Sequence, residues 1–378
     1  MYLGIPNLCL PNAESSDYRI DSEEDLDKTT MRRVALCAAL FAVLLAFAAC
    51  GDDNGGETEE TGGEAQGEED VTLTVYSGRE EEFVGPLLDQ FQTDEGIELD
   101  VRYGDSAELA AQILEEGDAS PADLFLSQDA GSLGAVAEAG SFVPIDSGVL
   151  DRVDERFRSP EGLWVGTSGR ARVAAYNTDA LSAEELPSSI EDFTAPEWRG
   201  RIGFPPTNSS FQAFVAAMIE TQGEDAAREF LEGLVANEPQ LYEDNSSTVR
   251  AVAAGEIEVG FVNHYYIYEV SAEDGDIPVA NHFFENGDVG ALVNSAGVGV
   301  MSTSDTPEEA DVLVDYLTAE PGQTFFAEET FEYPVVPDYE PQEDLVPLEE
   351  IQAPDIDLSS LAGTIEPALT LLAEVGLL

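Results

Sequence analysis

The chain is poor in the side chains from which most catalytic and metal-binding motifs are built. It has three cysteines (Cys9, Cys37 and Cys50), two histidines (His264 and His282) and, among 15 basic residues, one lysine, Lys28. If Cys9 and Cys37 leave with an N-terminal leader, the remaining chain has no second thiol beside Cys50, so a disulfide framework and a thiolate metal site are both excluded. Neither histidine sits in a nucleophile or zinc motif, and neither a G-x-S-x-G string nor a lysine-bearing phosphate loop occurs. Acidic pairs such as Glu115-Glu116 are too common in this chain to single out a hydrolase, so the reading is a protein that is not an enzyme. Against the 15 basic residues stand 78 acidic ones, for a formal net charge of -63. Phosphate binding needs a basic stripe, and none is present, so nucleic acid is excluded as a partner. An anionic membrane surface is excluded as a docking site on the same ground.

What is present points to a folded, exported protein. At 378 residues and 43% hydrophobic content the chain has enough apolar surface for two domains, or one large one, and is not a disordered acidic tail. The large negative charge, carried with arginine almost alone as the counter-charge, is of the kind that keeps proteins soluble at high salt. Met31 begins a run in which Arg32 and Arg33 precede a short apolar stretch, 34–47, and then Ala48, Ala49 and Cys50. That order is a secretory signal rather than a membrane span. It resembles a bacterial lipoprotein signal with Cys50 as the lipidated residue, although Phe47 stands where an aliphatic residue is commoner. Residues 1–30 lie upstream of a complete signal and read as a misplaced start; 31–49 are the signal peptide. Residues 50–70, acidic and Gly-rich without hydrophobic periodicity, read as a lipidated cysteine followed by a flexible tether.

From Val71 onward the pattern alternates. VTLTVYSG, ELDVRY (98–103) and ADLFLS (122–127) are strand-like, and helices are expected over 80–93, over 106–116 with Ser106 as N-cap, and near 131–139. Strands alternating with helices of this length predict a parallel, doubly wound α/β layer. A strand-like GRARVAAYN (169–177) leads into a second such series: a strand at 201–204, helices at 211–221, 225–236 and 248–254, and a strand at 258–263. GVGVMS (297–302) then crosses back, followed by a helix at 307–319 with Pro307 in its first turn. The prediction is two α/β lobes joined by two crossing strands, lobe 1 comprising 71–172 with about 297–345, and lobe 2 comprising 173–296 with 346–378 as a candidate return. Residues just after strands should line the cleft between them.

Five strings in this order, VYSGREEE, ADLFLSQDAGSLGAVAEAG, GLWVGTSGRARVAAYNTD, PEWRGRIGFPPTNSSFQAFV and EDNSSTVRAVAAGEIEVGFVNHYYIYEV, resemble the bacterial ferric-ion-binding solute receptors of ABC importers. These are two-lobed (type II) periplasmic binding proteins, and the resemblance runs from about Val71 to Pro337. It implies capture of Fe3+ between the lobes, delivery to an ABC permease, and a monomer held outside the cell membrane, or in the periplasm, through its lipid anchor alone. Two consecutive tyrosines supply phenolates to iron in that family, and the matching pair is Tyr265 and Tyr266. The chemistry agrees, since a hard trivalent cation prefers anionic oxygen donors and can deprotonate a phenol. Both side chains can reach one ion only where the strand ends, just past Asn263; a pair of aromatic core residues, with Tyr268 as a third, is the alternative. Where the family places a histidine and a glutamate from lobe 1, this chain has Glu80 and Gln128. Glu80 is either an oxygen donor or a solvated first-turn residue, Gln128 is a weaker neutral donor, and Asp129 is more plausible as an N-cap.

The resemblance also implies a synergistic phosphate or carbonate, held at Ser209, Ser210, Asn245 and Asn263. Those residues fall beside helix starts, where exposed N–H groups bind anions without lysine, and where ordinary capping is the alternative. Arg170 and Arg172 lie on or beside the first crossing strand and either neutralise an anion or pair with acids. His264 is expected to face away from the cleft. The same fold binding a small organic or oxyanion solute is the alternative function, and a noncatalytic interaction module is a third.

Overall fold

A run of apolar and small residues, Leu73 to Tyr76, makes the first strand because neighbours bury both of its faces. The computed structural model describes residues 71–378 apart from 340, 343 and 344; Cys50, the signal and the tether lie outside the described residues. In the first lobe, β1 (Thr72–Ser77) pairs in parallel with β2 (Glu98–Tyr103) and β3 (Leu124–Ser127). Helix α1 (Glu81–Glu95) ends at Gly96, whose φ of 70° is a conformation glycine adopts without a Cβ penalty. Helix α2 (Ser106–Glu116) begins as expected but is capped one residue earlier. Asp105 accepts the N–H groups of Ala107 and Glu108 through Oδ1. Ser106, expected as the cap, is instead the first helical residue, and its Oγ accepts the Gln128 N–H at 2.9 Å. An aspartate caps as well as a serine, and the end of β3 needs an acceptor that Ser106 supplies. Helix α3 (Ala130–Glu138) is capped by Asp129, as the sequence predicts.

The chain continues through α4 (Ser147–Arg152) to β4 (Val165–Asn177), a 13-residue strand buried along its whole length. Residues Val165 to Ala171 pair with β9 (Val293–Val300), which also pairs antiparallel with β3. From Arg172 to Tyr176 the same strand pairs instead with β7 (Val259–Asn263). The partner changes between Ala171 and Arg172, and there the sheet passes from the first lobe to the second.

The second lobe holds β5 (Ile202–Phe204), α5 (Ser209–Gln222), α6 (Glu224–Ala236), β6 (Gln240–Leu241) and α7 (Asn245–Ala254) before β7. Helix α8 (Tyr266–Asp274) and β8 (Val279–His282) follow β7. The full strand order is β2-β1-β3-β9-β4-β7-β5-β6, with β8 paired to β4. This is the two-lobed α/β architecture expected from the alternation. Strand β9 starts four residues before the predicted 297, and Asn294 and Ser295 are buried within it. The Asn294 side chain accepts from the Ala130 N–H, and Ser295 Oγ donates to the Ala296 and Ser168 carbonyls.

After β9 come α9 (Pro307–Thr318), α10 (Glu320–Glu328) and, last, α11 (Ala362–Glu374). Helix α11 packs on both α5 of the second lobe and α3 of the first. Its approach to α3 is close enough that a Cβ at Gly134 would stand 2.8 Å from the Cβ of Ala362.

Candidate metal centre

The tyrosine pair owes its geometry to the end of β7. Asn263 is in register with Arg172 on β4, and the next N–H, of His264, still bonds to the Ala171 carbonyl at 2.9 Å. The backbone then turns and enters α8 at Tyr266, so two consecutive side chains point the same way, as a continuing strand would forbid. Their ring centroids are 4.3 Å apart. Both are fully buried, and Phe83 of α1 sets its edge against each ring, at 5.8 and 5.6 Å. The lobes therefore meet directly over the pair.

His264 points away, as expected. Its Nδ1 accepts the Ala171 N–H at 3.2 Å, its Nε2 lies 3.0 Å from the Phe331 carbonyl, and its ring stacks on Tyr333 at 4.5 Å. A carbonyl only accepts, so Nε2 carries the proton and the ring is neutral. Burial pulls its pKa down to about 4, with the field of Glu332 and the two backbone bonds opposing.

Burial first, and then neighbouring negative charge, raises both phenols above the usual tyrosine range, Tyr266 the more strongly. Three buried guanidinium groups surround them. Arg79 makes two bonds to Glu332, at 2.8 and 2.7 Å, with both side chains inaccessible. Burial opposes each charge, yet the partner prevails: Arg79 is held above its ordinary pKa and Glu332 below its own. Arg172 is clamped over Phe211 and Phe214, with its guanidinium carbon 5.2 and 5.5 Å from their centroids, and donates once, to the Phe261 carbonyl at 2.9 Å. Its Nε and Nη1, and all three nitrogens of Arg170, are buried with no hydrogen-bond partner among the described residues. Burial lowers the pKa of Arg172 to about 9, and the tyrosines are the charges that oppose the fall.

Glu80 is the N-cap residue of α1, but its side chain makes no cap bond. Burial, then Glu82, pushes its carboxyl up to about 7, and its field reaches Tyr266. Gln128 is buried against the pair, with its amide nitrogen 3.4 Å from the Tyr265 hydroxyl oxygen. That nitrogen donates, so in this geometry Gln128 supports a phenolate instead of presenting an oxygen to an ion.

Ser210 Oγ accepts from the Asn263 side chain at 3.0 Å. Ser209 Oγ crosses the cleft to donate to Asp105 Oδ2 at 2.6 Å. Asn245 is fully buried, and neither atom of its amide has a partner among the described residues. Contrary to the expected boundaries, Ser209, Ser210 and Asn245 lie inside the first turns of α5 and α7. Asn208 and Asp244 are the N-caps.

Sequence reasoning missed Arg79, Glu332, Asp105 and Glu269. Glu269, on the first turn of α8, accepts from Ser246 Oγ at 3.0 Å. Burial raises its carboxyl to about 8, with the Ser246 bond opposing. Its spacing after Tyr266 was the one readable signal.

Among the described residues no group of three or more His, Cys, Asp or Glu side chains is placed to hold a metal ion. A cavity of about 740 Å³ lies elsewhere, between residues 147–162 and 348–358. None of the described helices is long and apolar enough to cross a membrane.

Residues 119–358 match the family of bacterial extracellular solute-binding proteins. The Fe(3+)-binding periplasmic protein of Serratia marcescens is 33% identical over 312 residues, covering 82% of this chain and 91% of that protein. Iron-bound HitA from Pseudomonas aeruginosa superposes with a TM-score of 0.77 at 34% identity, covering 81% of this chain and 99% of the other. Trichodesmium IdiA (FutA), solved with iron and citrate ligands, gives 0.68 at 31% identity over 81% of this chain and all (100%) of its own.

Proposed function

The chain belongs to the bacterial extracellular solute-binding proteins, and on that premise we propose that it captures Fe3+ between its lobes and delivers it to an ABC permease. The observation that carries this reading is the buried pair of adjacent phenols, Tyr265 and Tyr266, turned to one side at the lobe interface. A hard trivalent cation is the partner that two such oxygens suit, because it offsets the cost of ionising them in a buried site. Glu80 adds a carboxylate from the first lobe, and Gln128 steadies the Tyr265 oxygen by hydrogen bond. Closure brings these groups against the pair by bending where β4 and β9 cross between lobes. The contacts of Phe83 with both rings and of Asp105 with Ser209 belong to that closed state.

A phosphate or carbonate co-bound with the ion suits the first turns of α5 and α7, at Ser209, Ser210, Asn245 and Asn263. The unpartnered nitrogens of Arg172 and the unpartnered Asn245 amide support it, since both need a hydrogen-bonding partner. The same observation favours the second reading, an oxyanion or small organic solute taken without iron. Outside the described residues, Cys50 is the proposed lipid attachment that holds the protein on the outer face of the membrane. A globomycin-sensitive mass shift tests that, and a soluble product retaining residues 31–49 would refute it.

The decisive experiment is titration of the purified domain with chelated Fe3+ in high salt, followed by absorbance. A visible phenolate-to-iron charge-transfer band should saturate at one equivalent and vanish in Tyr265→Phe/Tyr266→Phe. Absence of the band in the native protein, with phosphate or carbonate supplied, would overturn the ferric reading in favour of the solute reading.

A further inference from the structure

Glu269 lies three residues after Tyr266 and four after Tyr265, and its N–H closes the first turn of α8 on the Tyr265 carbonyl at 3.1 Å. That spacing places its carboxyl on the helix face that carries the phenols. An acid in a first turn is ordinarily explained by the helix dipole, with water completing its hydrogen bonds. Glu269 does not fit that explanation. One oxygen is fixed by Ser246 Oγ at 3.0 Å, and the other, Oε2, is buried without a hydrogen-bond partner among the described residues. No ion pair among the described residues involves it, and the charges that act on it, Glu273, Glu80 and Glu82, share its sign. A carboxyl oxygen held in one orientation, buried, and facing like charge is a costly arrangement that a cation would relieve.

A second element converges on the same place. Glu80, at the start of α1 in the other lobe, acts electrostatically on both Tyr266 and Glu269 while its side chain makes no cap bond. Phe83, one turn along α1, fixes that helix against the two tyrosine rings. The two carboxyls thus both act on Tyr266, one from each lobe.

We infer that Glu269 is a direct ligand of the ion held by Tyr265 and Tyr266, facing Glu80, so that two phenolates and one carboxylate from each lobe form the donor set. The assignment rests on the ferric reading above. Four anionic oxygens suit a hard trivalent ion. The excess of one negative charge falls near Arg172, whose Nε and Nη1 have no hydrogen-bond partner among the described residues. Ser246 is a positioning residue in this arrangement, since its hydroxyl holds one oxygen of Glu269 and leaves the other free for the ion.

The test compares the native protein with Glu269→Gln and Ser246→Ala in Fe3+ competition against citrate, reading both affinity and the charge-transfer band. Glu269→Gln keeps the size and the Ser246 bond but loses the anionic donor. It should lower ferric affinity by at least the roughly 10- to 100-fold seen for outer-sphere changes, and move the band to longer wavelength, because the iron becomes more electron-poor. Ser246→Ala should weaken binding less and leave the band in place. Thermal melting of the iron-free variants reports folding, and should Glu269→Gln fail to fold, Glu269→Asp takes its place, with the same direction expected. A native band together with a folded Glu269 variant of unchanged affinity and unchanged band overturns the assignment alone. A native protein without the band overturns the ferric reading and this assignment with it.

Discussion

Replacing Glu332 with glutamine should destabilise the protein far more than any exposed charge change. Glu332 is fully inaccessible and accepts four hydrogen bonds: two from Arg79, one from Ser168 Oγ at 3.0 Å and one from Thr330 Oγ1 at 3.0 Å. Glutamine keeps one acceptor oxygen but turns an NH2 group toward a guanidinium that has no other ion-pair partner among the described residues. Breaking a buried pair from one side costs about 3–5 kcal/mol, because the remaining charge is left uncompensated. For a body of this size that corresponds to a fall in melting temperature of roughly 6–10 °C. The loss should persist in high salt, since both side chains are shielded from counter-ions, whereas surface pairs are screened. It should also depend on pH in one direction. Pairing with Arg79 outweighs burial and holds the Glu332 pKa below its ordinary value of 4.5. The stability it contributes is thus fully present above about 4.5 and disappears as pH falls through the lowered folded value. Arg79→Met/Glu332→Leu removes both charges and should regain part of the loss. Calorimetric melts of the native, single and double variants at pH 7 and in acid decide the matter. A single variant melting within about 1 °C of native, or a double variant no better than the single, would refute the reasoning.

Two further perturbations follow from buried contacts. His264 is held neutral with its pKa near 4 against an ordinary 6.5, so its contribution is present above 6.5 and is lost as pH falls toward 4. That loss, on the order of 3 kcal/mol, should be absent from the pH–stability profile of His264→Asn; identical profiles would show that His264 does not titrate in this way. At Gly134 an added Cβ would meet Ala362 at 2.8 Å and the Ser359 carbonyl at 3.1 Å. Gly134→Ala should cost about 1–3 kcal/mol by pushing α11 off α3, measured by denaturant unfolding, and no change in the midpoint would contradict the close approach.

Legibility followed range. The α/β alternation and the bend after Asn263 were readable because each is set by residues within a few positions of one another. Helix starts were less so. Asp105, Asn208 and Asp244 are the caps, one to four residues before the Ser106, Phe211 and Thr248 that the sequence pattern marks, because several capping residues stand side by side and only the fold decides which hydroxyl is wanted elsewhere. Ser106 is drawn to the Gln128 N–H, 22 positions away, and no local pattern announces that.

The sequence by itself determined two α/β lobes joined by crossing strands, and the pair of phenols brought to one side at a strand end, since periodicity and turn chemistry act locally. Only the tertiary structure decided which of 78 acids matter. Glu332 meets Arg79 across 253 positions, Asp105 meets Ser209 across 104, and Gln128 meets Tyr265 across 137. In so acidic a chain a carboxylate carries no signal in its identity. Its role is set by burial and by the charge facing it, and both arise when distant segments close over the same few ångströms.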